Sequence, residues 1–182
     1  MTDLLATNAV ALNQLRQDAA RGSLYAVLDA CDEPRVPRKV RELGPARAVS
    51  LYRGPAEEDL SAIAPYLVQV GNAELDWIAG SLWTAAWGIF ALSQAGLEPL
   101  RTHFRKFLLV DAPDGDRWYF RFYDPRVLAR FLPTCDAPQL ADFLGPVAAY
   151  GWTAPDYGVT LARPRTFEAA PPARPRVTLR SG

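Results

Sequence analysis

One short stretch constrains the fold more than any other. Trp118 to Leu132 (WYFRFYDPRVLARFL) alternates, then stops alternating at a single dipeptide. Trp118, Phe120 and Phe122 share one face of a strand, and Tyr119, Arg121 and Tyr123 the other. From Asp124-Pro125 the period is helical, with Val127, Leu128, Phe131 and Leu132 forming an apolar stripe. Asp124 is placed to accept a backbone N–H as the helix cap. Pro125 suits the first turn, where its missing donor is not needed, and Pro133 ends the helix. The stretch is therefore a strand–cap–helix corner, with a cation, Arg121, three residues before the cap.

The flanks extend the corner. Lys106 to Asp111 is a second apolar run, and Asp114-Gly115 lies in the polar loop between the two, which predicts a β-hairpin. Asp136 to Gly145 reads as another short helix, capped at Asp136 or Ala137 and closed at Gly145-Pro146. Upstream, a helix is expected over 3–21 and a strand, buried on both faces, over 23–30. Asp29, at the end of that strand, can act as a ligand or base, but such residues more often bond the backbone of the following turn. Further strands are expected at 48–52, 65–70, 86–92, 147–153 and 158–162. A helix capped by Asn72 carries Leu75, Ile78, Ala79 and Leu82 on one face, and Leu97 to Arg105 makes another. Gly88 reads as a site of close backbone approach.

Helices and strands alternate with at least one hairpin, so the expected class is α/β or α+β, a single domain with a mixed sheet covered by helices. The domain is expected over 1–162. Residues 163–182, rich in proline and arginine, have the composition of an extended or disordered tail.

Twenty basic and twenty acidic residues cancel, which excludes a global field that would draw the 182-residue chain to nucleic acid or anionic lipid. The tail concentrates five arginines but lacks interleaved aromatics, so nucleic acid is not an expected partner. No apolar run approaches the roughly 20 residues of a membrane span, and the N-terminus lacks a signal-peptide pattern, so a cytoplasmic location is expected. Two cysteines, Cys31 and Cys135, read as free thiols.

The search for chemistry returns little. One histidine and two distant cysteines do not make a common metal cluster, and neither a phosphate-binding glycine loop nor a nucleophile elbow is present. No cofactor is expected. The acidic triplet Glu57, Glu58, Asp59 reads as a solvated surface. His103 is either a proton shuttle or a packing histidine with one hydrogen bond. Arg121 either grips an anionic ligand or pairs with an internal acid such as Asp124 or Asp29. Of the aromatic residues, Tyr66, Trp77 and Trp152 are candidate exposed anchors, Trp77 foremost because it lies off the Leu75–Ile78–Leu82 stripe.

Taken together, His103-Phe104-Arg105, LLVDAPDG, FRFYDPRVLARFLP and FLGPV resemble the adaptor chaperones of type VI secretion effectors (Tap/TEC-type). LYAVLDA at 24–30, PYLVQV at 65–70 and WGIFALS at 87–93 match earlier blocks of that family in order. Two departures are modest: Phe104 stands where the family often has an aliphatic residue, and Phe122 where it often has another aromatic. The resemblance implies a non-enzymatic cytoplasmic adaptor. Such an adaptor binds a toxin effector, often one with a PAAR-type domain, and helps load it on the VgrG spike. It also singles out His103, Arg105, Arg121, Tyr123, Asp124, Pro125 and Arg126 as residues that either touch the partner or structure the corner. The competing expectation is an enzyme or binding protein for a small anionic ligand, using Arg121 and nearby acids.

Overall fold

The computed structural model describes residues 2–31, 33–111, 115–153 and 159–162. The expected tail and Asp114 of the hairpin loop lie outside them. The chain is an α+β domain with a six-stranded sheet, a separate two-stranded hairpin, and seven α-helices among the described residues.

The sheet is built around β1 (Leu24–Asp29). Its neighbours are β3 (Pro65–Gln69) and β4 (Gly88–Leu92), both antiparallel to it. β2 (Ala48–Ser50) pairs with β3, and β7 (Ala149–Thr153) joins β4 to β8 (Val159–Ala162). The order is β2-β3-β1-β4-β7-β8, antiparallel at every described pairing rather than mixed. The helical crossovers explain the difference. α2 (Arg35–Leu43) links β1 to β2, and α4 (Asn72–Ser81) links β3 to β4. Each crossover joins strands that run the same way, as a crossover must, but each steps over one strand that runs the other way. The parallel neighbours that a strand–helix–strand reading suggests are thereby separated.

The alternation along β1 shows why it is apolar on both faces. Leu24, Ala26 and Leu28 enter one core with Leu15 and Ala19 of α1 (Thr2–Ala20), Val36 of α2 and Leu75 and Ile78 of α4. Tyr25 and Val27 enter a second core on the opposite face. That core is filled by α5 (Leu97–Arg105), α6 (Pro125–Phe131) and α7 (Ala137–Leu144). Gly88 is required where it stands. Its φ is +144°, and a Cβ there would lie 2.0 Å from the Val27 carbonyl oxygen on the adjacent strand.

The whole second layer is one excursion. The chain leaves the sheet at Leu92 and returns at Ala148, whose N–H bonds the Leu92 carbonyl at 2.8 Å. Between them come α5, the hairpin of β5 (Leu109–Asp111) and β6 (Arg117–Tyr119), α6 and α7. The expected hairpin is present, but its second strand is shorter than the alternation suggested. Phe120 still donates to the Leu108 carbonyl at 2.9 Å, after which the chain turns, with Asp124 N–H on the Arg121 carbonyl at 3.0 Å. The turn sends both Phe122 and Tyr123 inward and leaves Trp118 outside. Phe122 stacks on Phe104 at 5.6 Å between centroids, and Phe107 meets Phe143 edge-on at 5.0 Å, so the layer's interior is an aromatic cluster.

Capping follows the residues closely. Asp124 accepts the Arg126 N–H at 2.8 Å, and Asp136 accepts the Gln139 N–H at 2.8 Å while the Gln139 side chain accepts the Asp136 N–H at 3.0 Å. α4 differs from expectation. Gly71 stands at the cap, and Glu74 reaches back to its N–H at 3.0 Å, so Asn72 is the first helical residue instead. Ala79 of that helix is exposed. Pro133 does not stop α6 abruptly; one 3-10 turn, Leu132–Thr134, follows.

Candidate partner-binding surface

The charged residues of the corner meet side chains and carbonyls of the same chain. Arg121 pairs with Asp29, and the other Asp29 oxygen accepts the Cys31 N–H at 3.0 Å. Both sequence-level readings of Asp29 as a structural acid therefore hold at once. The side chain of Arg121 is 41% exposed and that of Asp29 only 6%, so the pair closes over the acid and stays open at the base. The bond to Asp29 raises the Arg121 guanidinium further above its already high pKa. Tyr123 lies beneath, with the Arg121 guanidinium 6.0 Å from its ring centre, and burial raises its phenol well above the ordinary value.

One step along, Asp124 is clamped by Arg126 through Nε at 3.0 Å and a terminal nitrogen at 2.6 Å, besides the cap bond. Burial alone would raise the Asp124 carboxyl. The bonds from Arg126 outweigh it and hold the group below the usual carboxylate range. Arg126 itself stands on the surface.

On α5, His103 and Arg105 face opposite tasks. The His103 Nε2–H donates to the Phe143 carbonyl at 3.0 Å, an acceptor shared with the Tyr150 hydroxyl at 3.0 Å. Gly145 closes over the ring: its φ is +49°, and a Cβ there would sit 2.4 Å from His103 Cε1. Burial depresses the His103 pKa, which keeps the ring neutral near pH 7. A buried ring with one hydrogen bond is what the packing reading expects. Arg105 donates to the carbonyls of Ser50 at 3.1 Å, Leu51 at 3.0 Å and Tyr52. With Arg101, which donates to Ser50 O at 3.0 Å and pairs with Glu57 at 2.7 Å, it caps the open end of β2. Glu57 is thus part of an ion network rather than a bare solvated acid. Sequence reasoning missed Arg101 and Glu57; the arginine spacing of four along α5 was the available signal.

The three aromatic residues expected to be exposed are at most half-exposed. Trp77 is half-buried against the first core, with the Lys39 ammonium 5.7 Å from its ring centre. Tyr66 is buried and donates to Ser61 O at 2.7 Å, so it is not an exposed anchor, and Trp152 is half-buried. The large exposed apolar residues of the second layer are on the hairpin: Leu109, Trp118 and Tyr119. Two strands of three residues each are too narrow to bury both faces.

A groove of about 620 Å³ runs between the hairpin and the turn after β2. Its wall is made by Tyr52 and Tyr119, which meet edge-on at 5.8 Å. Arg53, Lys106 and Arg117 stand on its rim, and Asp111 is its acid.

Among the described residues, no three His, Cys, Asp or Glu side chains gather to hold a metal ion. Cys31 is exposed and Cys135 half-buried, the latter with its thiol pushed up to about 11 by burial. Among the described residues no helix is long and apolar enough to cross a membrane.

No curated protein and no solved structure matches the chain. A family model described as a domain of unknown function, DUF4123, matches residues 24–142, a span from the first residue of β1 into α7 that includes the corner and the hairpin. The chain belongs to this family, known as the adaptor domain associated with type VI secretion effectors.

Proposed function

We propose that the chain is a cytoplasmic, non-enzymatic adaptor chaperone that binds one type VI toxin effector and helps load it on the VgrG spike, the effector carrying a PAAR-type domain in some cases. The observation that carries this reading, beside family membership, is a division of labour among side chains. The corner's charged residues are engaged within the chain, while the adjacent hairpin presents aromatic and aliphatic side chains to solvent. Exposed apolar surface of this kind is characteristic of protein interaction sites. In this reading His103, Arg105, Arg121, Tyr123 and Asp124 hold the corner in shape, and Arg126 extends it to the surface. Trp77 is a candidate contact on the opposite layer.

The competing reading, a small anion held by Arg121, is disfavoured by the Arg121–Asp29 pair, because the acid already satisfies the guanidinium that would bind the ligand. The test is co-purification with the toxin encoded beside this chain's gene, together with deletion of the adaptor. Loss or insolubility of the toxin on deletion supports the proposal. A toxin that stays soluble and is secreted normally without the adaptor refutes it.

A further inference from the structure

The groove between the hairpin and the β2–α3 turn, where α3 is Pro55–Asp59, has features that the corner lacks. Its floor and wall are apolar, formed by Leu51, Tyr52, Leu108 and Tyr119. Arg53, Lys106 and Arg117 come from three different elements, are exposed, and have no ion-pair partner among the described residues. Arg105 lies below, but its hydrogen bonds go to backbone carbonyls and its charge is shared with Glu57 at 3.7 Å, so it is not one of the cations open to a partner. Asp111 is the single acid of the lining, directly across the ladder from Arg117. The lining therefore carries an excess of positive charge on a chain whose overall charge is zero.

We infer that this groove is the docking site for an acidic, extended segment of the effector polypeptide, with an apolar side chain seated between Tyr52, Tyr119 and Leu109 and carboxylates on the rim cations. The inference rests on the adaptor reading and deepens it. Charge complementarity selects the sign of the partner. The shape of the exposed surface selects a polypeptide over a small anion. Leu109 and Tyr119 are opposite one another on the ladder, and Trp118 carries exposed apolar surface onto the hairpin's other side. A small anion neutralises the cations and leaves that surface wet, whereas a chain crossing the groove covers both. Separated cations suit several carboxylates along a chain better than they suit one converging anion.

The test uses the full-length chain and the type VI effector encoded beside its gene, both purified, with fluorescein-labelled peptides tiling that effector as the direct probe. The triple variant Arg53→Glu/Lys106→Glu/Arg117→Glu changes exposed side chains only, and an unchanged melting curve verifies its fold. It is expected to bind the effector about tenfold more weakly or worse at low salt, with the gap closing as salt rises. Tyr119→Ala is expected to weaken binding at every salt concentration. Acidic peptides of the tiling set are expected to bind the wild type and not the triple variant. Equal effector affinity of the wild type and both variants overturns the groove while leaving the adaptor reading intact. So does a wild type stabilised by inorganic phosphate or citrate in a groove-dependent manner while its effector affinity is insensitive to the triple change. Failure of the wild type to bind the effector at all overturns both.

Discussion

The Arg121–Asp29 pair ties the hairpin–helix corner to the end of the central strand, and its two partners are unequal. Asp29 is nearly sealed, with 6% of its side chain exposed, while Arg121 is 41% exposed. Removing the arginine strands a carboxylate in the interior. Breaking a fully buried pair in this way costs about 3–5 kcal/mol, and solvent access on the arginine side reduces the figure to about 2 kcal/mol here. Removing the acid's charge strands nothing, because the guanidinium can swing into water, and Asn at 29 still offers an oxygen to the Cys31 N–H. Asp29→Asn should therefore cost only about 0.5–1 kcal/mol. Arg121→Met preserves most of the apolar stem and isolates the charge.

Thermal denaturation followed by tryptophan fluorescence measures all three variants. Arg121→Met is expected to lower Tm by about 4–8 °C, Asp29→Asn by a small fraction of that, and the double variant by little more than Asp29→Asn alone. The reasoning fails if the two single variants cost the same. It fails equally if the double variant loses the sum of both, since no coupling would then exist between the side chains.

Three further outcomes follow from the same geometry. Gly88→Ala places a Cβ 2.0 Å from the Val27 oxygen at a φ of +144°, so it should cost about 3 kcal/mol or more and yield little soluble chain, as read by expression and sedimentation. Arg105→Leu leaves carbonyls of Ser50, Leu51 and Tyr52 without their donor and should cost about 2–3 kcal/mol in urea denaturation, with Arg105→Lys recovering part of it. His103 has a folded-state pKa below its ordinary 6.5, so between those two values the unfolded chain binds more protons and stability rises with pH; acidification from neutrality through that window should lower Tm in the wild type, and less so in His103→Gln.

The sequence was most readable where a residue's chemistry leaves one backbone role. Asp124 before Pro125 and Asp136 before Pro138 announce helix starts, and both side chains cap as expected. Gly88 in an apolar run announces a close approach, and the Val27 carbonyl is there. β1 reads as doubly buried because each of its faces supplies a different core. Illegible features were those decided by partners distant in the chain. That β1 inserts between β3 and β4 is a matter of pairing at separations that no local period encodes. Trp118, Phe120 and Phe122 were expected to share one face, yet the turn at Arg121 breaks the period, so that Phe122 is buried and Trp118 exposed. Arg105 could be recognised as a family-matched residue but not as a donor to three carbonyls more than fifty positions upstream.

Strand pairing makes sense of where the proposed interaction surface lies. β4 and β7 are antiparallel neighbours, a connection that a turn of a few residues can make. Instead the chain departs at Leu92 and builds a complete covering layer before Ala148 rejoins the ladder. That layer is fastened to the sheet at separate points: the aromatic cluster around Phe122, the Arg121 tie to Asp29, the Arg105 tie to the end of β2, and the Ser93 hydroxyl on the Pro146 carbonyl at 2.7 Å. Fastened on all sides, the layer supports one element that is not packed on both faces, the β5–β6 hairpin. A hairpin of this size is at best marginally stable alone, so its geometry depends on the corner beneath it. The residues that the family resemblance singles out and the residues proposed to touch a partner are therefore different sets joined by mechanics: the first rigidify the base of the hairpin, which lets the second meet a partner already ordered. Ordering the surface in advance lowers the entropic cost of binding, which favours the proposed adaptor role.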